Sequence, residues 1–448
     1  MAEWEKSFQE TNRELLDFLD SSPTSFHAVA NMEKMLKQAG FERLLEGKTW
    51  NLQEKTGYYV TRNDSSLIAF RIPGKDFVGF QIMASHSDSP ALKIKDNAEI
   101  SVEKQYIKLN VEKYGGLLCA PWLDRPLSVA GRVVVRTEQG VATRLVNVDR
   151  DLLIIPNLAI HMNRKVNEGY EFNGQRDMLP LFGGKEAREG FLKLIAETAG
   201  VKETDILDMD LFLYNRMKGT ILGFEDEFIA ASRLDDLQCV FASLKGFLAA
   251  KPKRSVAIHC VLDNEEVGSG TKQGADSTFL RDVLRRINQT MGRSEEEYLM
   301  ALASSFMVSA DNAHSIHPNQ PDKADPTNRP FMNEGIVIKY SANQKYTTDA
   351  VSGAIFKSIC KRAEVPYQVF FNRSDMIGGS TLGNISNSQV ALNTVDIGLP
   401  QLAMHSCYET AGAKDTAYLI QAAQVLYSST VCGTGDGEYQ VEWAEESD

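Results

Sequence analysis

Three apolar runs in this chain each end in the same way. FVGFQIMA (77–84) runs into Ser85-His86-Ser87-Asp88. SVAIHCVL (255–262) runs into Asp263-Asn264-Glu265-Glu266. SSFMVSA (304–310) runs into Asp311-Asn312-Ala313-His314. Short apolar runs of this length are the pattern of strands buried on both faces, as in a parallel sheet covered by helices. The carboxyl edge of an open α/β sheet is where ligand sites form, because strand ends and loops converge there. A fourth apolar segment, PQLAM, leads into His405, and Arg233-Leu234-Asp235-Asp236 opens an expected helix. The chain is therefore expected to be α/β, with chemistry at one sheet edge.

The remaining pattern fits that frame. Helices are expected over 4–20, 26–40, 233–250, 276–291, 295–303, 347–363 and 413–428, and a further strand near 335–340. Alternation of helices with apolar strands implies a sheet flanked by helices on both faces. From about 95 to 220 the texture changes. Residues 100–111 and parts of 129–148 alternate apolar and polar residues, the mark of half-buried antiparallel strands. The Gly115-Gly116 pair and an Asn173-Gly174 turn punctuate this region. It reads as a β-rich domain, 95–220, inserted into a domain formed by 1–94 and 221–448. The acidic end, from Glu438 onward, is expected to fray.

Composition removes several function classes. With 448 residues the chain can bury a large core. The formal charge of −12 disfavours nucleic acid and anionic lipid as partners. No apolar run approaches the length of about 18 residues needed to span a membrane. The sequence Met1 to Lys6 has no basic stretch followed by an apolar one, so no secretory signal is expected. Six cysteines are scattered without a C-x-x-C pair, which argues against a zinc ribbon or disulfide framework and for a reducing, cytoplasmic setting. Neither a G-x-G-x-x-G after a strand nor a G-x-x-x-x-G-K-[ST] loop is present, so nucleotide binding is disfavoured.

Taken singly, each candidate has a bland reading. Asp235 suits a helix N-cap and Asp311 a turn. Glu265-Glu266 suits a solvated acidic pair, and His405 or His161 a hydrogen-bonded structural histidine. His259 and His27 read as packing residues, and His317, before Pro318, as a turn residue. Together they say more. His86 and Asp88 are two apart and face the same way on a strand, which suits an imidazole oriented by a carboxylate. Two carboxylates directly after a buried strand are costly without a cation or proton. Two histidines with several carboxylates and no thiolate form a mixed N/O set, which favours Zn²⁺, Mn²⁺ or Co²⁺.

The chain closely resembles the aspartyl aminopeptidase family of co-catalytic metallo-aminopeptidases, nearly end to end. The resemblance rests on SPTSFHAV (22–29), ASHSDSPALKIK (84–95), YGG (114–116), WLDRPLSVAGRV (122–133), IPNLAIHMNR (155–164), SRLDDLQ (232–238), DNEEVGS (263–269), SADNAHSIHPN (309–319), GIVIKYSANQKY (335–346), NRSDMIGGSTLG (372–383) and TVDIGLPQLAMHS (394–406). It implies a mixed sheet in a zinc-peptidase-like catalytic domain with an inserted dimerisation domain. It implies two metal ions, with Asp235 bridging, His86 and Asp311 on one, and Glu266 and His405 on the other. Glu265 becomes the general base for a water activated by the two metals, and Asp88 holds His86. Lys339 is similar to a residue that meets an acidic substrate side chain. His161 is similar to a histidine reaching a neighbouring subunit's site. Apart from the resemblance, His314, three residues past Asp311, suits a contact to a metal ligand or to substrate. The resemblance further implies dimers assembling into a tetrahedral dodecamer that cleaves N-terminal Asp or Glu from peptides.

The sequence departs from the family pattern at three places. Asp236 stands where Asn is usual, Cys407-Tyr408-Glu409 where an Arg-Glu pair is common, and Asp322 to Asp325 where a Lys-His-Glu stretch is usual. Loss of that arginine leaves a neutral or basic substrate preference open. The competing readings are a related carboxypeptidase or deacylase, and a non-catalytic assembly or cargo protein on the same fold.

Overall fold

In the computed structural model, which describes residues 3–376 and 378–444, the apolar runs become neighbours. Val256–Leu262, Phe80–His86, Phe306–Ala310 and Asn393–Gly398 lie side by side and parallel. Five further strands extend them into a mixed nine-stranded sheet. Ser66–Arg71, Gly57–Arg62 and Glu42–Leu44 lie on one side, and Ile336–Tyr340 and Tyr367–Phe371 on the other. Successive side chains alternate between faces. Phe80, Ile82 and Ala84 therefore enter one core with helices Phe279–Thr290, Glu295–Ala303 and Leu382–Ser386. Met83 enters the other, with Glu3–Asp20, Ser25–Gln38, Leu234–Ala249, Ala350–Arg362 and Asp415–Ser428. Both faces are covered, as uninterrupted apolar strands require.

A second sheet is built wholly of antiparallel pairs. Its order is Gly140–Asn147, Leu127–Thr137, Ile206–Asn215, Ala91–Val102, Tyr106–Tyr114 and Leu181–Gly184. One face carries its own core, including Leu92, Leu109, Val133 and Leu211, capped by Phe191 and Ile195 of helix Phe191–Ala199.

A third, smaller sheet aims part of the site. Phe228–Ala231 pairs with Glu409–Gly412, which turns back to Pro400–Leu402. The first of these strands feeds the helix that begins at Leu234. The turn between the last two carries His405.

Three expectations need correction. The first strand begins at Phe80 and not Phe77. The chain leaves the regular ladder at Gly79, where any side chain would overlap the Ser304 carbonyl. His86 is consequently the last strand residue. Asn173-Gly174 is not a plain turn: the Asn173 side chain accepts the N–H groups of Gln175 and Arg176 and caps a short helix, Gly174–Asp177. Glu438–Glu442 does not fray but pairs with Thr430–Gly435 as a hairpin, because Val431, Val441 and Trp443 pack against the main core. The last four residues, 445–448, lie outside the described ones.

Candidate active site

Register brings the first three candidates together. Leu262 is level with His86, and Ser309 with Ala84, so Asp311 emerges beside His86 at one sheet edge. Past Leu262 the chain turns through Asp263-Asn264 into one turn of 3₁₀ helix, Glu265–Val267. Asp88 captures that turn: its two carboxylate oxygens accept the N–H of Glu265 at 3.1 Å and of Glu266 at 3.2 Å. Asp88 also faces His86, with Oδ1 3.4 Å from Nδ1, while the Asp88 carbonyl lies 3.1 Å from the same nitrogen. This leaves His86 Nε2 pointing into the site.

Asp235 and His405 arrive from the third sheet. The Asp235–Asp236 peptide bond is cis. Buried Glu409 receives the Asp235 N–H at 3.1 Å on one oxygen and the His405 N–H at 2.8 Å on the other. Each oxygen of Asp235 then faces a different histidine. Oδ1 lies 3.4 Å from His86 Nε2, and Oδ2 lies 3.5 Å from His405 Nε2. Glu266 Oε2 is 3.3 Å from His405 Nε2, and Asp311 Oδ1 is 3.9 Å from His86 Nε2. Three sets of potential ligand atoms gather within 4.8 Å: His86, Asp235, Asp236 and Asp311; His86, Glu265 and Glu266; Asp235, Glu266 and His405.

This cluster fits cations. Asp235 Oδ1, Asp236 Oδ1 and Glu266 Oε1 are buried without a hydrogen-bond partner. Orphaned buried carboxylate oxygens are costly unless a cation or a proton compensates. The proton affinities say the same. Burial, then repulsion from Asp311, Asp88 and Asp235, pushes Glu265 up to about 8, with His86 opposing. Burial and neighbouring carboxylates likewise raise Glu266 and Asp236, and burial raises Asp311 despite Lys339. Burial opposes charging of His405, yet hydrogen bonding to Asp235 lifts it to about 9. His86 is raised too, because Asp236, Asp235 and Asp88 outweigh its burial. Charge compensation here falls to protons unless metal ions supply it.

A cavity of about 350 Å³ opens over these groups. Glu265, Lys339 and His314 all line it. Lys339 is buried, donates to the Asn312 carbonyl at 2.8 Å, and lies 3.8 Å from Asp311 Oδ1. Burial disfavours its charge, and Asp311 more than restores it. His314 meets Phe370 edge-on at 6.2 Å, and burial followed by Lys339 lowers its proton affinity. His161 is not brought to this cavity. It is neither a core histidine nor a lining residue, but sits exposed on a short turn, Ile160–Met162, between exposed Leu158 and Met162. His259 is held by Ser243, His27 by Thr24, and His317 accepts the Asn319 N–H, all outside the cluster.

Sequence reasoning misses three contributors. Asp236 reads there as a departure and not as a ligand; its Oδ2 accepts the His86 N–H at 3.1 Å, and it belongs to the first ligand set. Glu409 clamps two site residues, and its place four residues after His405 is the available signal. Tyr114 donates to Asp88 at 2.7 Å and stands in the YGG motif.

Residues 18–427 match the family described as Aminopeptidase I zinc metalloprotease (M18). The chain belongs to the M18 aminopeptidase family. A probable M18 family aminopeptidase 2 of Clostridium acetobutylicum is 48% identical, covering 94% of this chain and 100% of that protein. One from Pseudomonas aeruginosa is 43% identical, covering 94% and 99%. Among solved structures, a chain of the Ape4 and Nbr1 complex aligns with TM-score 0.91 at 35% identity, covering 95% of this chain and 86% of that one. The S. cerevisiae mApe1 dodecamer aligns with TM-score 0.82 at 27% identity, covering 93% and 96%. This M18 chain is thus a metallo-aminopeptidase, a hydrolase of peptide bonds. No helix among its described residues is long and apolar enough to cross a membrane.

Proposed function

We propose that this M18 aminopeptidase holds two divalent cations, zinc foremost, and removes N-terminal acidic residues from peptides. The carrying observation is Asp235, whose two oxygens face two different histidines. In this reading Asp235 would serve both ions, with His86 and Asp311 holding one and Glu266 and His405 the other. Mn²⁺ or Co²⁺ fits the same N/O donor set. When bound, such a pair acidifies water and polarises a carbonyl.

The protein's own residues do the rest. Glu265 accepts a proton from the attacking water and returns it to the leaving amine, the work of a general acid–base. Asp88 fixes both His86 and the Glu265–Glu266 turn. Among the described residues, Lys339 is the only lysine or arginine lining the cavity, and its ammonium has donors beyond the one given to Asn312. That supports recognition of an acidic side chain beside Asp311.

For assembly, the second lobe is proposed as an inserted dimerisation domain, roughly 95–220. Its exposed Leu158, Ile160 and Met162 surround His161, which would reach a neighbouring subunit. The dodecamer described for mApe1 supports a higher assembly of such dimers, tetrahedral in form. All six cysteines are unpaired, which supports a reducing cytoplasmic compartment.

The test is a panel of Asp, Glu, Leu, Lys and Ala chromogenic substrates, before and after chelation and add-back of Zn²⁺, Mn²⁺ or Co²⁺. Metal-restored cleavage favouring Asp and Glu is expected. Restored cleavage of neutral or basic residues would retain the chemistry and refute the role of Lys339.

A further inference from the structure

The segment Tyr114–Leu118 leaves the second lobe's sheet and runs across the metal-binding cluster of the other lobe. It touches four residues that come from three different segments: Asp88, then Asn264 and Glu266, and His405. The Tyr114 hydroxyl donates to Asp88 Oδ2 at 2.7 Å and accepts from Asn264 Nδ2 at 2.8 Å. Gly115 has φ +73°, and a Cβ there would sit 3.2 Å from the Glu266 Cβ. The Gly116 carbonyl lies 3.1 Å from His405 Nδ1, and the Leu118 N–H donates to the His405 carbonyl at 3.0 Å. A Cβ on Gly116 would stand 3.5 Å from the same His405 nitrogen.

Each contact acts behind a candidate ligand and on the atom that aims it. A carbonyl on His405 Nδ1 holds a proton there, so Nε2, which faces Asp235 and Glu266, is the nitrogen that would serve a cation. The tyrosine hydroxyl holds the carboxylate that in turn holds His86 and the N–H groups of Glu265 and Glu266. Gly115, with its positive φ and the Glu266 Cβ close by, lets the backbone turn and approach closely enough to do both. Packing alone would not require hydrogen bonds to both histidine-bearing segments.

We propose that Tyr114–Leu118 is a positioning element of the metal centre: the second lobe sets ligand geometry for a site whose ligands all belong to the other lobe. The inference rests on the two-cation reading of His86, Asp235, Glu266, Asp311 and His405. Tyr114 acts through Asp88, so it is a positioning residue and not a catalytic one.

The test is zinc affinity of the full chain, read by competition with a chromophoric chelator, for the wild type, Tyr114→Phe and Asn264→Ala. Tyr214→Phe serves as control, since it removes another hydroxyl of the same lobe, bonded to Asn147. Loss of such an outer partner typically weakens metal binding about 10- to 100-fold. The expectation is that loss for Tyr114→Phe, with the native near-UV circular dichroism retained, and with kcat lowered and KM retained at saturating zinc. The control should match the wild type. Wild-type zinc affinity in both Tyr114→Phe and Asn264→Ala overturns this inference alone. A wild type that binds no zinc overturns the two-cation reading beneath it. If near-UV circular dichroism finds Tyr114→Phe unfolded, Asn264→Ala decides.

Discussion

Replacing Glu265 with Gln removes one proton acceptor and little else. The side chain keeps its size. The backbone N–H stays on Asp88 Oδ1, and the histidines and carboxylates around Asp235 are untouched. A general base contributes about 10²- to 10⁴-fold to a rate. The low end applies where solvent can take the proton; here Glu265 lines a partly closed cavity in which its own proton affinity is already perturbed. A loss in kcat of about 10³-fold follows, equivalent to about 4 kcal/mol of barrier. KM should stay close to the wild-type value, because the variant binds substrate as before. The assay is steady-state cleavage of the best chromogenic substrate, alongside metal content of the same sample. Metal-replete Glu265→Gln with kcat within tenfold of wild type refutes the base assignment. Loss of one metal ion refutes it differently: Glu265 also lies within 4.8 Å of His86 and Glu266 ligand atoms, and would then be a ligand.

Buried carboxyls with raised proton affinity set a pH signature for the metal-free chain. Burial lifts Glu265 and Glu409 to about 8, and Asp263 and Asp415 to about 7. A raised carboxyl contributes stability that is full below its unfolded value of about 4 and lost as pH rises through the folded one. The melting temperature after chelation should therefore fall from about pH 4 to about 8 and level off above that, and saturating zinc should flatten the slope; a metal-free profile that rises with pH over that interval contradicts this. Glu409→Gln keeps the shape but turns one of the two accepting oxygens into an NH₂ donor, so either the Asp235 or the His405 N–H loses its partner. A buried donor left unpaired costs about 1–3 kcal/mol, so zinc should bind about tenfold more weakly in a titration. Phe247 is fully buried against Phe41 and Tyr427, at ring separations of 5.4 and 5.3 Å. Phe247→Ala should lower stability by about 3–5 kcal/mol in urea while leaving activity per folded molecule unchanged.

The edge of the site is legible in the sequence because it is encoded locally. A run of apolar residues specifies a strand buried on both faces, and whatever follows it stands at the sheet's carboxyl edge. That pattern alone locates His86, Glu265, Glu266 and Asp311. It misjudges where the first strand begins, since the close approach of Gly79 to Ser304 joins residues more than 200 apart in sequence. It misreads the end of the chain because acidic composition hides the alternation that pairs Glu438–Glu442 with Thr430–Gly435.

By itself the sequence determined the residue types, their order along the chain, and a net charge that disfavours polyanions. Those follow from composition and short-range periodicity. Only tertiary structure decided that one Asp235 oxygen faces His86 and the other His405. It alone made Glu409 a clamp across two segments, and brought Tyr114 of one sheet to Asp88, just past a strand of another. Such relations depend on distances between segments 26 to 174 residues apart. Local preference fixes a residue's backbone and face, but the packing of whole sheets fixes what that face meets.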